Sequence, residues 1–295
     1  MTTEHKTGEQ PDNLVLKARD VHFDWTALPL HWVPGEPFTT HTINVMHLLL
    51  PEGERWFVRV FQQALPLIRD EQLREQVIGF IGQEAVHAES HQGAQEHLRE
   101  QGIDPGPYVR QIEWTFHRIL GDRELDTAAQ RSWLVERLAI IAAVEHVTAF
   151  LGQWVLDAHG LDRAGADPTM MDLLRWHGAE EVEHRSVAFD LYTHVNGSYL
   201  RRLRAMVLVA PMLVHIWARG VKFLMHADPE LRGKVKPRWR DGSAAARKGL
   251  LPSYFSLLRK LSTFLSRRYH PSQEGSTAQA VAYLATSPAA RAAEH

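Results

Sequence analysis

The stretch from Pro168 to Tyr192, PTMMDLLRWHGAEEVEHRSVAFDLY, constrains this chain more than any other. Asp167 is placed as an N-cap and Pro168 at the first helical position, so the whole stretch reads as one helix. Glu181 and His184 are three residues apart and project from one face, with His177 and Glu180 a turn earlier on the same side. Met171, Leu174, Val187, Ala188 and Leu191 continue that face, which therefore points into a core. A carboxylate and an imidazole on a core-facing stripe are costly to bury alone, and a metal ion satisfies both. One Glu-x-x-His arises easily by chance in a chain with 18 histidines, so its weight depends on its context.

Composition narrows that context. Among 295 residues there is no cysteine, which excludes disulfides, thiolate ligands and a Cys nucleophile and leaves His, Asp and Glu for any metal. The first residues, MTTEHKTGEQPDN, are polar and lack an apolar h-region, so no signal peptide is expected and a cytoplasmic location is the default. The net charge of −2 conceals an asymmetry. Residues 1–198 hold 16 Lys and Arg against 30 Asp and Glu, a net of −14, whereas residues 199–268 hold 16 against 3, a net of +13. An acidic body followed by a basic region raises the question of an anionic partner.

The periodicity predicts an all-α chain. Residues 1–38 read as a polar and irregular segment, with Pro29, Pro34, Gly35 and Pro37 preventing a long helix before about Thr39. THTINVMHLLL is expected to be a short helix ended by Pro51, followed by a helix over GERWFVRVFQQALPLIR that must kink or stop near Pro66. Asp70 to Gln101 reads as a long helix closed by Gly102, Tyr108–Leu120 as a helix within a long connection, and Ala128 to His159 as a helix ending at Gly160. The expected organisation is a bundle over 39–198, a basic and partly apolar helical extension over 199–268, and a loosely ordered tail over 269–295.

Placed on these helices, the acidic and imidazole side chains form a pattern. Helix two carries a second Glu-x-x-His, Glu84 and His87, with His91 one turn on; helix one carries Glu54, and helix three carries Glu145 inside the apolar run RLAIIAAVEHVTAFLG. A buried, unpaired carboxylate at Glu145 would protonate or cost several kcal/mol. At 1.5 Å per residue, Glu54 and Glu84 both lie ~20 Å from the turn that joins their helices, and so do Glu145 and Glu181. Two hairpins each supplying Glu plus Glu-x-x-His make a dinuclear carboxylate site, the arrangement of ferritin-like di-iron and di-manganese four-helix bundles with a long crossover between helices two and three. The six candidate ligands are Glu54, Glu84, His87, Glu145, Glu181 and His184; the four carboxylates, with Thr148 as a hydrogen-bond donor toward an oxygen species there, are also the candidate catalytic groups.

The motifs LLLPEGERWFVRVF, GFIGQEAVHAESHQ and HGAEEVEHRSVAFDLY, with DWTALPLHWVPGEP and THTIN upstream, resemble the bacterial family of predicted metal-dependent hydrolases. The resemblance covers roughly residues 20–265 and implies a ferritin-like fold and a metal-binding role for the six residues. His91 and His177 are read as satisfied histidines beside the site or as extra ligands, and His41 and His47 as structural or near its mouth. His146 faces about 100° away from Glu145. Asp172 and Glu180 either orient imidazoles or lie on an exposed face.

With N and O ligands only, two metal ions are expected: iron is favoured, with manganese or a mixed Mn/Fe pair as alternatives. No G-x-S-x-G, P-loop or G-x-G-x-x-G is present, so the metals must supply the chemistry. The favoured reading is O₂-activating oxidase or oxygenase chemistry on a small organic molecule; the alternative is hydrolysis by a metal-bridged water, and iron storage or a structural site comes after these. Residues 205–218, AMVLVAPMLVHIWA, are too short to span a bilayer and read as a fifth helix or as an interfacial segment lying on anionic lipid with its Arg and Lys neighbours. Peripheral contact with the inner membrane face through 199–268 is therefore an expectation. No nucleic-acid motif is present, so no nucleic-acid partner is expected, and an oligomer is compatible with this reading.

Overall fold

Acidic and hydroxyl caps set where four of the five long helices begin, the exception being Pro37–Ala64, which starts on a proline. Asp70 accepts from Leu73 N, Asp126 from Ala129 N, Asp167 from Thr169 N and Met170 N, and Ser198 from Arg201 N, each satisfying amides that have no partner within the helix. The computed structural model describes residues 15–231 and 234–294, and among them there is helix and no strand. The helices are α1 (Pro37–Ala64), α2 (Glu71–Glu100), α3 (Gly106–Trp114), α4 (Thr127–Leu156), α5 (His159–Arg163), α6 (Pro168–His184), α7 (Val187–Val195), α8 (Tyr199–Ala227), α9 (Trp239–Arg247), α10 (Tyr254–Thr263), α11 (Thr277–Leu284) and α12 (Pro288–Ala292). Of the polar and irregular segment expected over 1–38, residues 1–14 lie outside the described residues.

Helices α1 and α2 pack antiparallel. His47 meets His91, and Phe61 meets Phe80 at 4.5 Å between ring centres, so position falls along α2 as it rises along α1. Helices α4 and α6 pair in the same sense, with His184 beside Glu145 and the Arg175 guanidinium reaching the Val155 carbonyl. Trp56, Phe61, Phe80, Leu138 and Leu191 belong to one buried apolar cluster, and Trp32, Leu161, Leu173 and Trp176 to another. Residues 15–36 run without regular structure across α2 and α6. The Leu28 carbonyl accepts from Gln101 Nε2 at 2.7 Å, and Arg19 reaches both Glu180 and Glu183.

Several element boundaries differ from the sequence reading. Pro51 does not end a helix: α1 runs through it. Proline frees the carbonyl four residues earlier, and here that group, on His47, accepts from Gln95 Nε2 of α2 at 2.9 Å. The stretch Pro168–Tyr192 is two helices, α6 and α7, and at the break between them the buried Arg185 donates to the Val182 carbonyl. Gly160 lies inside α5 and does not stop α4; a Cβ there would sit 2.2 Å from the Gly249 carbonyl oxygen, so glycine permits a close backbone approach. The segment after Pro271, expected to be loosely ordered, forms α11 and α12 on α6, burying Ala280, Leu284, Ala289 and Ala290.

Helix α8 extends well beyond the 14 residues expected. By length and composition it could cross a membrane, but Ala205, Met206, Val209, Val221 and Leu224 on one side of it are buried in the protein.

Candidate metal centre

Each of the six candidate ligands is at most 4% exposed, and together they occupy the space between α1, α2, α4 and α6. Glu54 comes from α1, Glu84 and His87 from α2, Glu145 from α4, and Glu181 and His184 from α6. Ligand atoms of Glu84, Glu145, Glu181 and His184 lie within 4.8 Å of one another, and so do those of Glu54, Glu84 and His87. The two groups adjoin and share Glu84. His184 Nε2 is 3.3 Å from Glu145, 3.4 Å from Glu84 and 3.5 Å from Glu181, while His87 Nδ1 is 3.6 Å from Glu84 and 3.8 Å from Glu181.

The approach of α4 to α6 depends on glycine. A Cβ on Gly152 would lie 2.5 Å from the Gly178 carbonyl oxygen and 3.0 Å from Glu181 Cβ; one on Gly178 would lie 2.9 Å from the Gly152 Cα. This contact is two turns after Glu145 and one turn before Glu181, so it sets how far apart those carboxylates stand.

The far nitrogen of each candidate imidazole is held by a partner outside the six. His87 Nε2 is 2.9 Å from Glu180, whose other oxygen accepts from Arg19 at 2.6 Å. His184 Nδ1 is 3.1 Å from Gln83 Oε1. Such partners fix ring orientation and leave the opposite nitrogen free. That nitrogen is without a hydrogen-bond partner in both rings, as are both oxygens of Glu54 and of Glu84, Glu145 Oε2 and Glu181 Oε2. Buried polar atoms are rarely left so. Their convergence, with four carboxylates and two imidazoles, fits divalent metal.

Electrostatics tell the same story. Burial, with repulsion from neighbouring carboxylates, pushes Glu54 and Glu84 well above the usual range and Glu145 up to about 7. Burial acts the same way on Glu181, but His184 and His177 outweigh it and hold that carboxylate low. For His184 burial opposes the charge, while Glu181 and Glu145 raise it well above the ordinary imidazole value.

Around this cluster the sequence-level candidates sort plainly. His177 Nε2 is 2.8 Å from Glu181 and 3.8 Å from Glu54, and its Nδ1 is 2.5 Å from His91 Nε2, which continues to His47 at 2.8 Å. Burial holds His177 down at about 4 and His47 at about 3, so this imidazole row is neutral. Thr148 donates to Glu145, at 3.2 Å to the carbonyl and 3.4 Å to Oε1. His146 is turned away from the cluster, toward Tyr269 and the Lys260 carbonyl. Glu180 is fully buried on His87. Asp172 orients no imidazole; it accepts from Tyr283, Ser287 and the Ala289 amide and so ties α11 and α12 to α6. His41 and His31 both donate to Asp228, at 2.7 and 2.6 Å, pinning α1 and the N-terminal segment to the end of α8.

Gln83 and Arg19 have no periodic signature and were invisible in the sequence. The row of His47, His91 and His177 was legible, since each lies one or two turns from a ligand on its own helix.

A family model described as "Predicted metal-dependent hydrolase" matches residues 17–275. The chain belongs to this family. No curated protein sequence and no solved structure matches it. A family defined by metal dependence agrees with the buried His and Glu groups, which supply both the donors and the shielding a metal needs.

A cavity of about 970 Å³ opens from this centre, with Thr148, His177 and Glu181 in its wall.

Proposed function

We propose that the chain is a metal-dependent hydrolase whose Glu54, Glu84, His87, Glu145, Glu181 and His184 hold two divalent ions in a ferritin-like arrangement of α1, α2, α4 and the α6–α7 pair. One observation carries this reading: the partnerless buried atoms of six residues from four helices converge in two adjoining groups that share Glu84. Such an ion pair, when bound, supplies Lewis-acid activation of a water for attack on the scissile group. Glu54, Glu84 and His87 would hold one ion and Glu84, Glu145, Glu181 and His184 the other. Glu180 and Gln83 hold the imidazoles in register. Thr148, in the cavity wall, donates to Glu145 and would orient that carboxylate toward the ions. The donor set, four carboxylates without sulfur, favours iron or manganese.

A second reading, O₂-dependent oxidation of an organic substrate, is favoured by the almost wholly apolar lining of the cavity, which offers few polar groups to bind a leaving group. Metal analysis of protein purified without added metal tests the centre: two ions per chain are expected, both lost in Glu145→Ala with helicity retained. One ion in the wild type, or a full complement in Glu145→Ala, overturns it. An ester panel and O₂ uptake after Fe(II) loading then separate the two chemistries, and O₂ uptake ending in mineral would mean storage.

A further inference from the structure

The cavity beside the centre carries information about the substrate that neither the family nor the ligand set contains. Its lining on α8 runs from Ala210 to His226, which at 1.5 Å per residue is about 24 Å of helix. A volume of about 970 Å³ is at the upper end of the ~300–1,000 Å³ usual for small-molecule pockets. Its walls are side chains such as Ile43, Met46, Leu151, Leu213, Trp217 and Leu261. Its polar lining includes two distinct sets. Buried Glu181 and His177 and half-buried Thr148 lie at the metal centre, while Lys260, also in the lining, is paired with Glu274. His146 also lines the wall but offers nothing, because both ring nitrogens are engaged.

The outer end has the opposite charge. Lys222, Lys236 and Arg238 line the cavity and are solvent-exposed, so they mark its mouth. Neither Lys222 nor Lys236 forms an ion pair among the described residues. Unpaired cations on the rim of an apolar channel are complementary to an anion attached to an apolar chain. The reverse orientation would set these cations against the apolar end of the chain, where they have nothing to pair with.

From this arrangement we infer that the substrate is a long-chain amphiphile, an unbranched apolar chain with an anionic head such as a carboxylate or phosphate. The head rests on Lys222, Lys236 and Arg238, and the chain runs inward to Glu181. What meets the centre is therefore the chain and not the charged head: a C–H bond of the chain if O₂ is the co-reactant, or an ester or amide link within the chain if water is. This substrate class rests on the proposed metal centre only for the reaction; binding itself needs no metal.

Binding of straight-chain carboxylates from octanoate to palmitate, and of the matching alcohols, is to be measured on the 295-residue chain with and without metal. Fluorescence of Trp217 and Trp239 at the cavity wall provides the signal. Affinity is expected to rise roughly fourfold per added methylene until the cavity is filled, as each buried CH₂ contributes. Carboxylates should bind at least tenfold tighter than alcohols, and Lys222→Glu with Lys236→Glu should abolish that preference while leaving the alcohols unchanged. Ala218→Trp, at an exposed position on the cavity wall, should shorten the chain length at which affinity levels off. Affinity independent of chain length, or no difference between acid and alcohol in the wild type, overturns the inference. Metal content measured on the same samples keeps the two failures apart: chain binding without two ions sinks the metal centre alone, and two ions without chain binding sinks the substrate class alone.

Discussion

Glu145 is the residue through which pH acts on this centre. In the metal-free fold its carboxyl rises from 4.5 to about 7, chiefly through burial. The folded form keeps a proton there that the unfolded chain has already released. This contribution to metal-free stability is therefore fully present below pH 4.5 and is lost as pH climbs through about 7. Glu54 and Glu84 are raised in the same direction. Metal ions must displace these protons, so binding should release them and tighten with pH. His47 works the other way: held at about 3, its contribution is present above the ordinary imidazole value of 6.5 and lost as pH falls. It is outside the six and common to both forms, so it cancels in a comparison of the two. The melting-temperature gap between metal-loaded and metal-free protein is accordingly expected to widen from about pH 5 to about pH 8. Scanning calorimetry checks this, and a gap independent of pH would mean that metal does not replace protons on these carboxylates.

At the level of elements, the α4–α6 contact makes a sharp case. An alanine at position 152 gains up to ~1 kcal/mol of helix propensity, yet its methyl would lie 2.5 Å from the Gly178 carbonyl. Overpacking of that kind costs ~1–3 kcal/mol, so the clash should win. Gly152→Ala is expected to lower the melting temperature and to weaken metal retention, because it moves Glu181 away from Glu145. Gly53→Ala is the control: its nearest neighbour is Phe116 at 3.4 Å, an ordinary contact, and propensity should make it neutral or mildly stabilising. If both variants keep wild-type stability and metal content, the glycine contact does not set the spacing of the centre. The same contrast explains what could be read from sequence. The long helices and the meeting of six side chains followed from 3.6-residue periodicity and equal heights above the turns, both local quantities. What escaped depends on partners from elsewhere in the chain. Gln95 lets α1 pass through Pro51, and Asp172 gathers residues 277–292 onto α6. No pattern within any of those segments records its partner.

The charge split of the sequence becomes a question about the whole molecule. If the basic region existed to neutralise the acidic body, its cations would pair with it. Among the described residues only Arg201 and Arg204, both on Glu136, and Lys248, on Glu36, pair with carboxylates of the first 198 residues. Apolar side chains stand exposed in the same region: Leu200, Val207 and Val214 at seven-residue intervals on α8, then Trp239 on α9, and Phe255 and Leu258 on α10. Cations interleaved with exposed apolar groups suit the surface of an anionic bilayer, where each basic group contributes roughly 1 kcal/mol. Peripheral contact fits better than a span, since the opposite side of α8 is buried in the core. The 295-residue chain is therefore expected to co-sediment with vesicles containing phosphatidylglycerol and not with pure phosphatidylcholine. It should be released as salt rises, because screening shortens the reach of charge from ~10 Å at 0.1 M to ~3 Å at 1 M. Removing residues 199–295 is no test, as it would uncover the core beneath α8 and α11. Reversing Lys234, Arg240 and Arg247, none of which lines the cavity, should weaken vesicle binding by at least about a hundredfold while leaving metal content and chain binding intact. Equal binding to neutral and anionic vesicles, or no response to these reversals, would show that the basic region serves some purpose other than a membrane surface.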